Sequence, residues 1–197
     1  MNKLIMFLVC FLFTLSQISA QNFDIDILKT TNVNRNQNLD GGFAFVSDAT
    51  IPLIFATPVL ITGAGLLKKD STIIRKGLYI GVSIASNLMV IFALKYAINR
   101  PRPYATYPFL DNQKTEPDPS FPSGHSSSAF ALATSLSLAY QKWYVIAPAY
   151  TYATLTAYSR LHLGVHYPSD VLVGAAIGTG FAWLSHYLNK KIKWRRK

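Results

Sequence analysis

The sequence predicts an all-α integral membrane protein, a helical bundle of five spans that follow a cleaved signal peptide. Half of the 197 residues are hydrophobic and only 14% are charged, whereas about a quarter is usual in soluble domains. The apolar residues gather into five runs, over 51–67, 78–98, 127–140, 144–158 and 171–188. Aromatic residues stand near the ends of these runs, as in a membrane interface; they are Trp143, Tyr144, Tyr158, Tyr187 and Trp194.

A soluble helical core is the alternative fold. Several runs are shorter than the ~20 residues that cross a bilayer comfortably, and the third and fourth are rich in Ser, Thr and Tyr. Small residues at helix-packing spacing favour the membrane, namely Gly174 and Gly178 in the last run and Ala129 and Ala133 in the third.

The first segment, residues 1–20, is typical of a secretory signal peptide. Lys3 precedes an apolar stretch, and small residues lead to a cleavage point after Ala20. An uncleaved first span, giving six in total, is the alternative. The single cysteine, Cys10, lies here, so no internal disulfide is possible. We expect residues 21–50 to be an extracytoplasmic polar segment and residues 51–197 to be the membrane domain. Gly41 and Gly42 indicate that 22–48 has little structure of its own.

The net charge of +10 fits nucleic acid, an anionic membrane surface or an anionic substrate. If the chain starts outside at residue 21 and crosses at each run, 11 of the 19 Lys and Arg residues fall inside and seven outside. This excess follows the positive-inside rule. The basic C-terminal tail is therefore interpreted as an orientation anchor, and no nucleic-acid partner is expected.

The same path brings three polar clusters to the extracytoplasmic face. Lys95 and Arg102 lie at the exit of the second run. Ser123 and Gly124 precede the third run, where Ser123 can cap a helix and free backbone N–H groups can bind a phosphate. His125 would then lie beside the bound group, placed to protonate a leaving oxygen.

The third cluster lies between residues 159 and 170. His166 and Asp170 are four residues apart, the spacing of neighbours on one helical face. A carboxylate that binds one ring nitrogen leaves the other with a free lone pair, which makes the histidine a nucleophile or a base. Arg160 adds a forked donor suited to phosphate oxygens.

Together these residues resemble a known family. Lys95-x6-Arg102-Pro103, then Pro122-Ser123-Gly124-His125, then Ser159-Arg160-x5-His166-x3-Asp170, is similar to the three motifs of the type 2 phosphatidic-acid phosphatases. That family is related to bacterial acid phosphatases and vanadium haloperoxidases. The resemblance spans about residues 51–197 and implies that this stretch is a membrane phosphatase domain.

The resemblance also implies roles and a setting. His166 would be the nucleophile, Asp170 its orienter and His125 the general acid, in a reaction without metal or cofactor. The phosphate would be held by Lys95, Arg102, Ser123, Gly124 and Arg160. The expected substrate is a lipid phosphate monoester or diphosphate in the bilayer, with no obligate protein partner. The expected location is a bacterial inner membrane, with the active site facing the periplasm or exterior. The loop 104–121, with Asp111, Glu116 and Asp118, is expected to border the entrance.

Other functions stay open at this point. A vanadate-dependent haloperoxidase or a soluble-phosphate acid phosphatase would use the same residues. A metal hydrolase could ligate zinc through His162, His166 and Asp170, which fall at four-residue steps. Gly164 and Pro168 would interrupt such a helix, so no metal site is assigned. A non-catalytic lipid-binding protein is the last alternative, and it has no need for two histidines and a carboxylate beside three cations.

Overall fold

The computed structural model describes residues 23–191, and the prediction of an all-α fold is confirmed over that range. Five long helices follow one another: α1 (Asp40–Leu67), α2 (Ser71–Ile98), α3 (Gly124–Tyr140), α4 (Trp143–His162) and α5 (Pro168–Lys191). The predicted signal peptide, Trp194 and most of the basic tail lie outside the described residues.

Each predicted apolar run corresponds to one helix, and each helix begins before its run. Polar residues fit the first turns because their side chains can cap exposed N–H groups. Asp70 caps α2, and its Oδ1 accepts a hydrogen bond from the Thr72 N–H at 2.8 Å. Ser123 caps α3 as predicted, and its Oγ accepts from the Ser126 N–H at 3.4 Å. The ends of α1, α2 and α3 coincide with the ends of the runs.

The prediction that residues 22–48 have little structure is wrong. Residues 23–28 are helical, a π-helical turn follows at Lys29–Val33, and a 3-10 turn at Gln37–Leu39 leads into α1. Gly41 and Gly42 lie in the first turn of α1 rather than in a loop. The turn signals in the sequence are weak local preferences, and tertiary contacts override them.

Those tertiary contacts come from the loops between the long helices. The side chain of Leu28 is fully buried and packs with Leu110 and Tyr167. The carboxamide of Asn32 donates to the backbone oxygens of Asp111 and His162, both at 2.9 Å. The segment 23–33 is therefore docked onto the end of the bundle where α4 ends and α5 begins.

Three helical stretches within the described residues are long and apolar enough to cross a membrane: Gln37–Leu67, Ser71–Thr106 and Pro168–Lys191. Large apolar side chains also cover the outside of the bundle, and each of the following is more than 60% exposed: Phe45, Val59, Met89, Phe92 and Leu172. An exposed apolar surface of this kind is typical of contact with lipid. The chain is a multi-pass membrane protein.

Helices α3 and α5 approach each other closely at two glycines. A Cβ atom on Gly178 would lie 2.0 Å from the Ser127 backbone oxygen, and one on Gly174 would lie 2.6 Å from that of Ser123. The predicted small-residue packing of the last run is thus confirmed. The contact brings the first turns of both helices together, and the Ser123 N–H donates to the Asp170 backbone oxygen at 3.0 Å.

Candidate active site

The candidate site lies at one end of the bundle, where α2 and α4 end and α3 and α5 begin. All eight residues that the sequence singled out are at this end. Hydrogen bonds, ion pairs and a shared groove bring them together. They are the potential catalytic residues His166, His125 and Asp170 and the potential phosphate ligands Lys95, Arg102, Ser123, Gly124 and Arg160.

His166 lies in the loop between α4 and α5 and is 1% exposed. Its Nδ1 is 3.4 Å from Asp170 Oδ2 and also 3.4 Å from Ser120 Oγ. Its Nε2 faces Arg102, with 3.4 Å between Nε2 and Nη1. A guanidinium can only donate and a carboxylate can only accept, which assigns the proton to Nδ1 and leaves the lone pair on Nε2.

Burial lowers the pKa of His166 from its usual 6.5 to about 4, although the hydrogen bond that its ring donates to Asp170 acts in the opposite direction. The positive charge of Arg160 acts in the same direction as burial. The imidazole is therefore neutral at physiological pH, and a neutral imidazole is the form that can attack phosphorus.

Asp170 is completely buried and fully bonded. Its Oδ2 accepts from the Ser120 hydroxyl at 2.5 Å and from the Tyr167 N–H at 3.0 Å. Its Oδ1 accepts from Arg100 Nη1 at 2.6 Å. These contacts fix the carboxylate that faces His166. The sequence assigned no role to Ser120 or Arg100, and only the position of Arg100 between the two cations of the first motif could have indicated one.

The three predicted phosphate ligands with positive charge are held by two carboxylates of the entrance loop. Glu116 pairs with Arg160, and its Oε2 is 2.8 Å from Arg102 Nη2. Asp118 lies between Lys95 and Arg102, with an oxygen 2.8 Å from the nitrogen of each. Glu116 and Asp118 thus do more than border the entrance, because they occupy donors that a phosphate would need.

Both carboxylates are ionised in this setting. Burial alone would raise the pKa of Glu116, but Arg160 and Arg102 outweigh it and lower that pKa to about 2. The pKa of Asp118 is also lowered, where burial is outweighed by its hydrogen bond and charge interaction with Lys95. Three cations and two anions therefore nearly compensate one another.

A groove of about 720 Å³ leads to the site from the side of the bundle. Its apolar wall comes from α1 and α2, and Lys95, His125 and His166 lie at its polar end; the wall residues are Ile51, Leu88, Met89, Ile91 and Phe92. A second, polar pocket of about 450 Å³ is lined by Asn99, Arg100, Arg102 and Tyr104. Residues 116–118 line both cavities and separate them.

The interruption of the helix around Gly164 and Pro168 is confirmed. Helix α4 ends at His162 and α5 begins at Pro168, with Gly164 between them at a φ of +71°. His162 therefore shares no helix with His166 and Asp170, and its Nε2 is 2.8 Å from Asp40 Oδ1 of α1. The zinc alternative required all three on one helix face.

Comparison with known proteins gives consistent matches. The model of the PAP2 superfamily matches residues 76–194. An undecaprenyl-diphosphatase of Sulfolobus acidocaldarius is 30% identical over 171 residues, which are 83% of this chain and 77% of that protein. A lipid A 4'-phosphatase of Bacteroides thetaiotaomicron is 32% identical over 94 residues, covering 48% of this chain and 42% of that protein.

A solved structure matches over the full length. It is the crystal structure of the first transmembrane PAP2 type phosphatidylglycerolphosphate phosphatase from Bacillus subtilis, with a TM-score of 0.74 and 27% sequence identity. The match covers 100% of both chains.

A bundle with membrane-spanning helices, and with a cluster of cations beside two histidines at one end, defines a membrane phosphatase. The family is that predicted from the three motifs. The chain belongs to the PAP2 superfamily.

Proposed function

We propose that the protein hydrolyses lipid phosphate monoesters or diphosphates through a phosphohistidine on His166. The observation that carries this proposal is the position of His166 Nε2, which faces Arg102 at 3.4 Å and opens onto the polar end of the apolar groove. His166 Nε2 has a free lone pair, Arg102 can bind a phosphate, and both lie where the groove can admit a lipid chain.

In the first step, the phosphoryl group replaces Glu116 and Asp118 as partner of Lys95, Arg102 and Arg160. The lone pair of His166 Nε2 forms a bond to phosphorus, and the bond between phosphorus and the leaving oxygen breaks. His125 transfers a proton to that oxygen. Asp170 stabilises the positive charge that develops on the imidazole, and the cations stabilise the equatorial oxygens.

In the second step, a water molecule attacks the phosphohistidine. His125 takes one proton from the water as the new P–O bond forms and the P–N bond breaks. Inorganic phosphate leaves, and His166 returns to its neutral form. From a lipid monophosphate the other product is the lipid alcohol, and from a lipid diphosphate it is the lipid monophosphate.

The groove supports a substrate with a long apolar chain. Met89 and Phe92 are 74% and 64% exposed at its wall, so a chain lying there would reach the bilayer directly. The names of the relatives indicate undecaprenyl diphosphate, lipid A and phosphatidylglycerol phosphate as candidates. Phosphatidic acid is a further candidate by family resemblance.

For topology, we propose that α1 to α5 each cross the membrane once, after a cleaved signal peptide, with six spans if residues 1–20 are retained. Lysines at the end of the bundle opposite the site support this orientation, among them Lys68, Lys142 and Lys190. The site, together with the part of segment 21–50 that precedes α1, would face the periplasm or exterior of an inner membrane, and residues 51–197, joined by the first turns of α1, would form the phosphatase domain.

A labelling experiment tests the orientation. Asp111, at the site end, and Lys69, at the opposite end, are both exposed and are each changed to cysteine in a Cys10→Ser background. We expect an impermeant maleimide added to intact spheroplasts to label Asp111→Cys and to label Lys69→Cys only after lysis. The reverse pattern would place the site in the cytoplasm.

The function is tested by phosphate release from a panel of lipid phosphates in detergent, for wild type and His166→Ala, with and without a chelator. We expect release that resists the chelator and disappears in the variant. Release abolished by the chelator would indicate a metal hydrolase. Halide oxidation after addition of vanadate and peroxide, without phosphate release, would indicate a haloperoxidase, and release from soluble phosphate esters alone would indicate an acid phosphatase.

A further inference from the structure

Asp24 is buried in the N-terminal segment and contacts the start of α5. It is 2% exposed. Its Oδ1 accepts from the Ser169 N–H at 2.8 Å, and its Oδ2 accepts from the Ser169 hydroxyl at 2.5 Å and from Arg100 Nη2 at 2.9 Å. Ser169 is the residue before Asp170, so Asp24 binds the backbone next to the carboxylate that faces His166.

Arg100 connects the two carboxylates. While its Nη2 donates to Asp24, its Nη1 donates to Asp170 Oδ1 at 2.6 Å and to Ser169 Oγ at 2.8 Å. Its guanidinium carbon lies 3.8 Å from the centre of the Tyr167 ring. The planar guanidinium of Arg100 is thus bound by a carboxylate at each terminal nitrogen and by an aromatic ring on one face, which fixes its orientation. The contacts therefore form a continuous series, Asp24 to Arg100 to Asp170 to His166.

Asp24 is fixed independently of Arg100 by the docking of its own segment. Leu28 packs with Leu110 and Tyr167, and Asn32 donates to the backbone oxygen of His162, the last residue of α4. The position of Asp24 therefore does not depend on the contact that it makes with the site. Asp24, Leu28 and Asn32 all precede 76–194, the part of the chain that the PAP2 superfamily model matches.

We infer that Asp24 is a positioning residue for the nucleophile and acts through Arg100 and Asp170, so that the segment 23–33 is part of the active site. This inference rests on the proposed function. Two effects follow from the charge of Asp24. It holds the guanidinium in line with Asp170 Oδ1, and it shares the positive charge of Arg100, which leaves more negative charge on Asp170 for the imidazolium that forms during attack.

A purely structural role for Asp24 gives different kinetics. Loss of an anchor would lower thermal stability and the fraction of folded enzyme, with kcat per folded molecule unchanged. Loss of positioning lowers kcat per folded molecule and leaves KM nearly unchanged, because Lys95, Arg102 and Arg160 still bind the phosphate.

The experiment compares Asp24→Asn with two controls in the same segment. Asp26→Asn removes a carboxylate whose side chain is 72% exposed and pairs only with Lys29 among described partners. Leu28→Ala loosens the docking without contact to Arg100. We expect Asp24→Asn to lower kcat roughly ten- to hundred-fold, Leu28→Ala to lower the melting temperature more than kcat, and Asp26→Asn to change neither.

A double-mutant test follows the effect through Arg100. In an Arg100→Met background, Asp24→Asn should change kcat by less than about two-fold. Arg100→Lys, which keeps the charge but lacks the fork, should lower kcat with KM unchanged and serves if Asp24→Asn does not fold. A kcat like that of wild type in these variants, or multiplicative losses in the double variant, overturns the inference. His166→Ala is measured alongside: activity in that variant overturns the proposed function instead.

Discussion

Glu116 and Arg160 form an ion pair inside the candidate active site, and the same carboxylate reaches Arg102 at 2.8 Å through its second oxygen. A carboxylate with its two oxygens on two guanidinium groups resembles two oxygens of a bound phosphate. Arg160 is completely buried, so its charge requires a partner whether or not substrate is bound. Glu116 is thus the negative partner of Arg160, in the position that we propose for two oxygens of the substrate phosphate.

Neutralising Glu116 should tighten the binding of phosphate. In Glu116→Gln the amide can still accept a hydrogen bond, while its negative charge no longer competes with the incoming anion. We expect the inhibition constant of inorganic phosphate to fall roughly five-fold, equivalent to about 1 kcal/mol. The matched control is Asp111→Asn, an exposed carboxylate of the same loop that pairs with Arg35. Equal or weaker inhibition in Glu116→Gln would show that Glu116 holds the arginines for phosphate rather than competing with it.

The stability of the protein should decrease on acidification because of His166. Its pKa is lowered from 6.5 to about 4 in the folded state. Between these values the unfolded chain binds a proton that the folded protein does not, so the free energy of unfolding falls as the pH decreases through that window. Thermal unfolding in detergent at pH 7 and pH 4.5 should show a smaller decrease in His166→Gln than in wild type. Equal decreases would mean that His166 titrates normally.

Loss of His125 should lower the rate of hydrolysis most for substrates with a poor leaving group. His125→Ala removes the proposed proton donor, and an aryl phosphate needs that proton much less than an alkyl phosphate does. We expect a loss of about 10²- to 10⁴-fold for an alkyl phosphate and a much smaller loss for a nitrophenyl phosphate. Rates of both substrates are measured with the same enzyme preparation. Equal losses would assign His125 to binding.

Because α3 and α5 are in close contact, one methyl group added at Gly178 should strongly lower the stability of the protein. Gly178→Ala would place a Cβ atom 2.0 Å from the Ser127 backbone oxygen, which cannot move without its helix. We expect a loss of about 2 kcal/mol or more in the free energy of unfolding. Gly180 is the control in the same helix, because a Cβ atom there meets nothing within 4 Å. Gly180→Ala should be neutral or stabilising by up to about 1 kcal/mol.

If Gly178→Ala still folds, the wider separation of α3 and α5 should also lower the activity. His125 lies in the first turn of α3, and the Ser123 N–H before it donates to Asp170 at the start of α5. A shift of α3 away from α5 would therefore move His125 relative to His166. Activity per folded molecule should fall in Gly178→Ala and not in Gly180→Ala. An unchanged Gly178→Ala would mean that the helices adjust elsewhere.

The sequence predicted the helices and the contact between His166 and Asp170 because both depend on short spacings. His166 and Asp170 are four positions apart in the sequence, and apolar runs indicate helices without knowledge of their partners. Glu116 and Asp118 were expected near the entrance, but their pairing with Lys95, Arg102 and Arg160 depends on how a long loop folds back. No local pattern encodes that path.

The sequence could not identify Asp24 or Ser120 for the same reason. Asp24 is 145 residues from Ser169, its partner, and its surroundings are rich in the polar residues that usually mark a loop. The segment around it was expected to be unstructured because Gly41 and Gly42 are turn residues in most contexts. Burial of Leu28 and the hydrogen bonds of Asn32 decided otherwise, and both depend on distant parts of the chain.

Residues 116–118 separate the apolar groove from the polar pocket, and the candidate active site lies between these two cavities. If lipid enters through the groove, the two products of hydrolysis prefer opposite exits. Phosphate is soluble only in water, and the dephosphorylated lipid only in the bilayer. Their diffusion into separate phases keeps both concentrations at the site low, so that reversal by recombination is rare even when one product accumulates in its own phase.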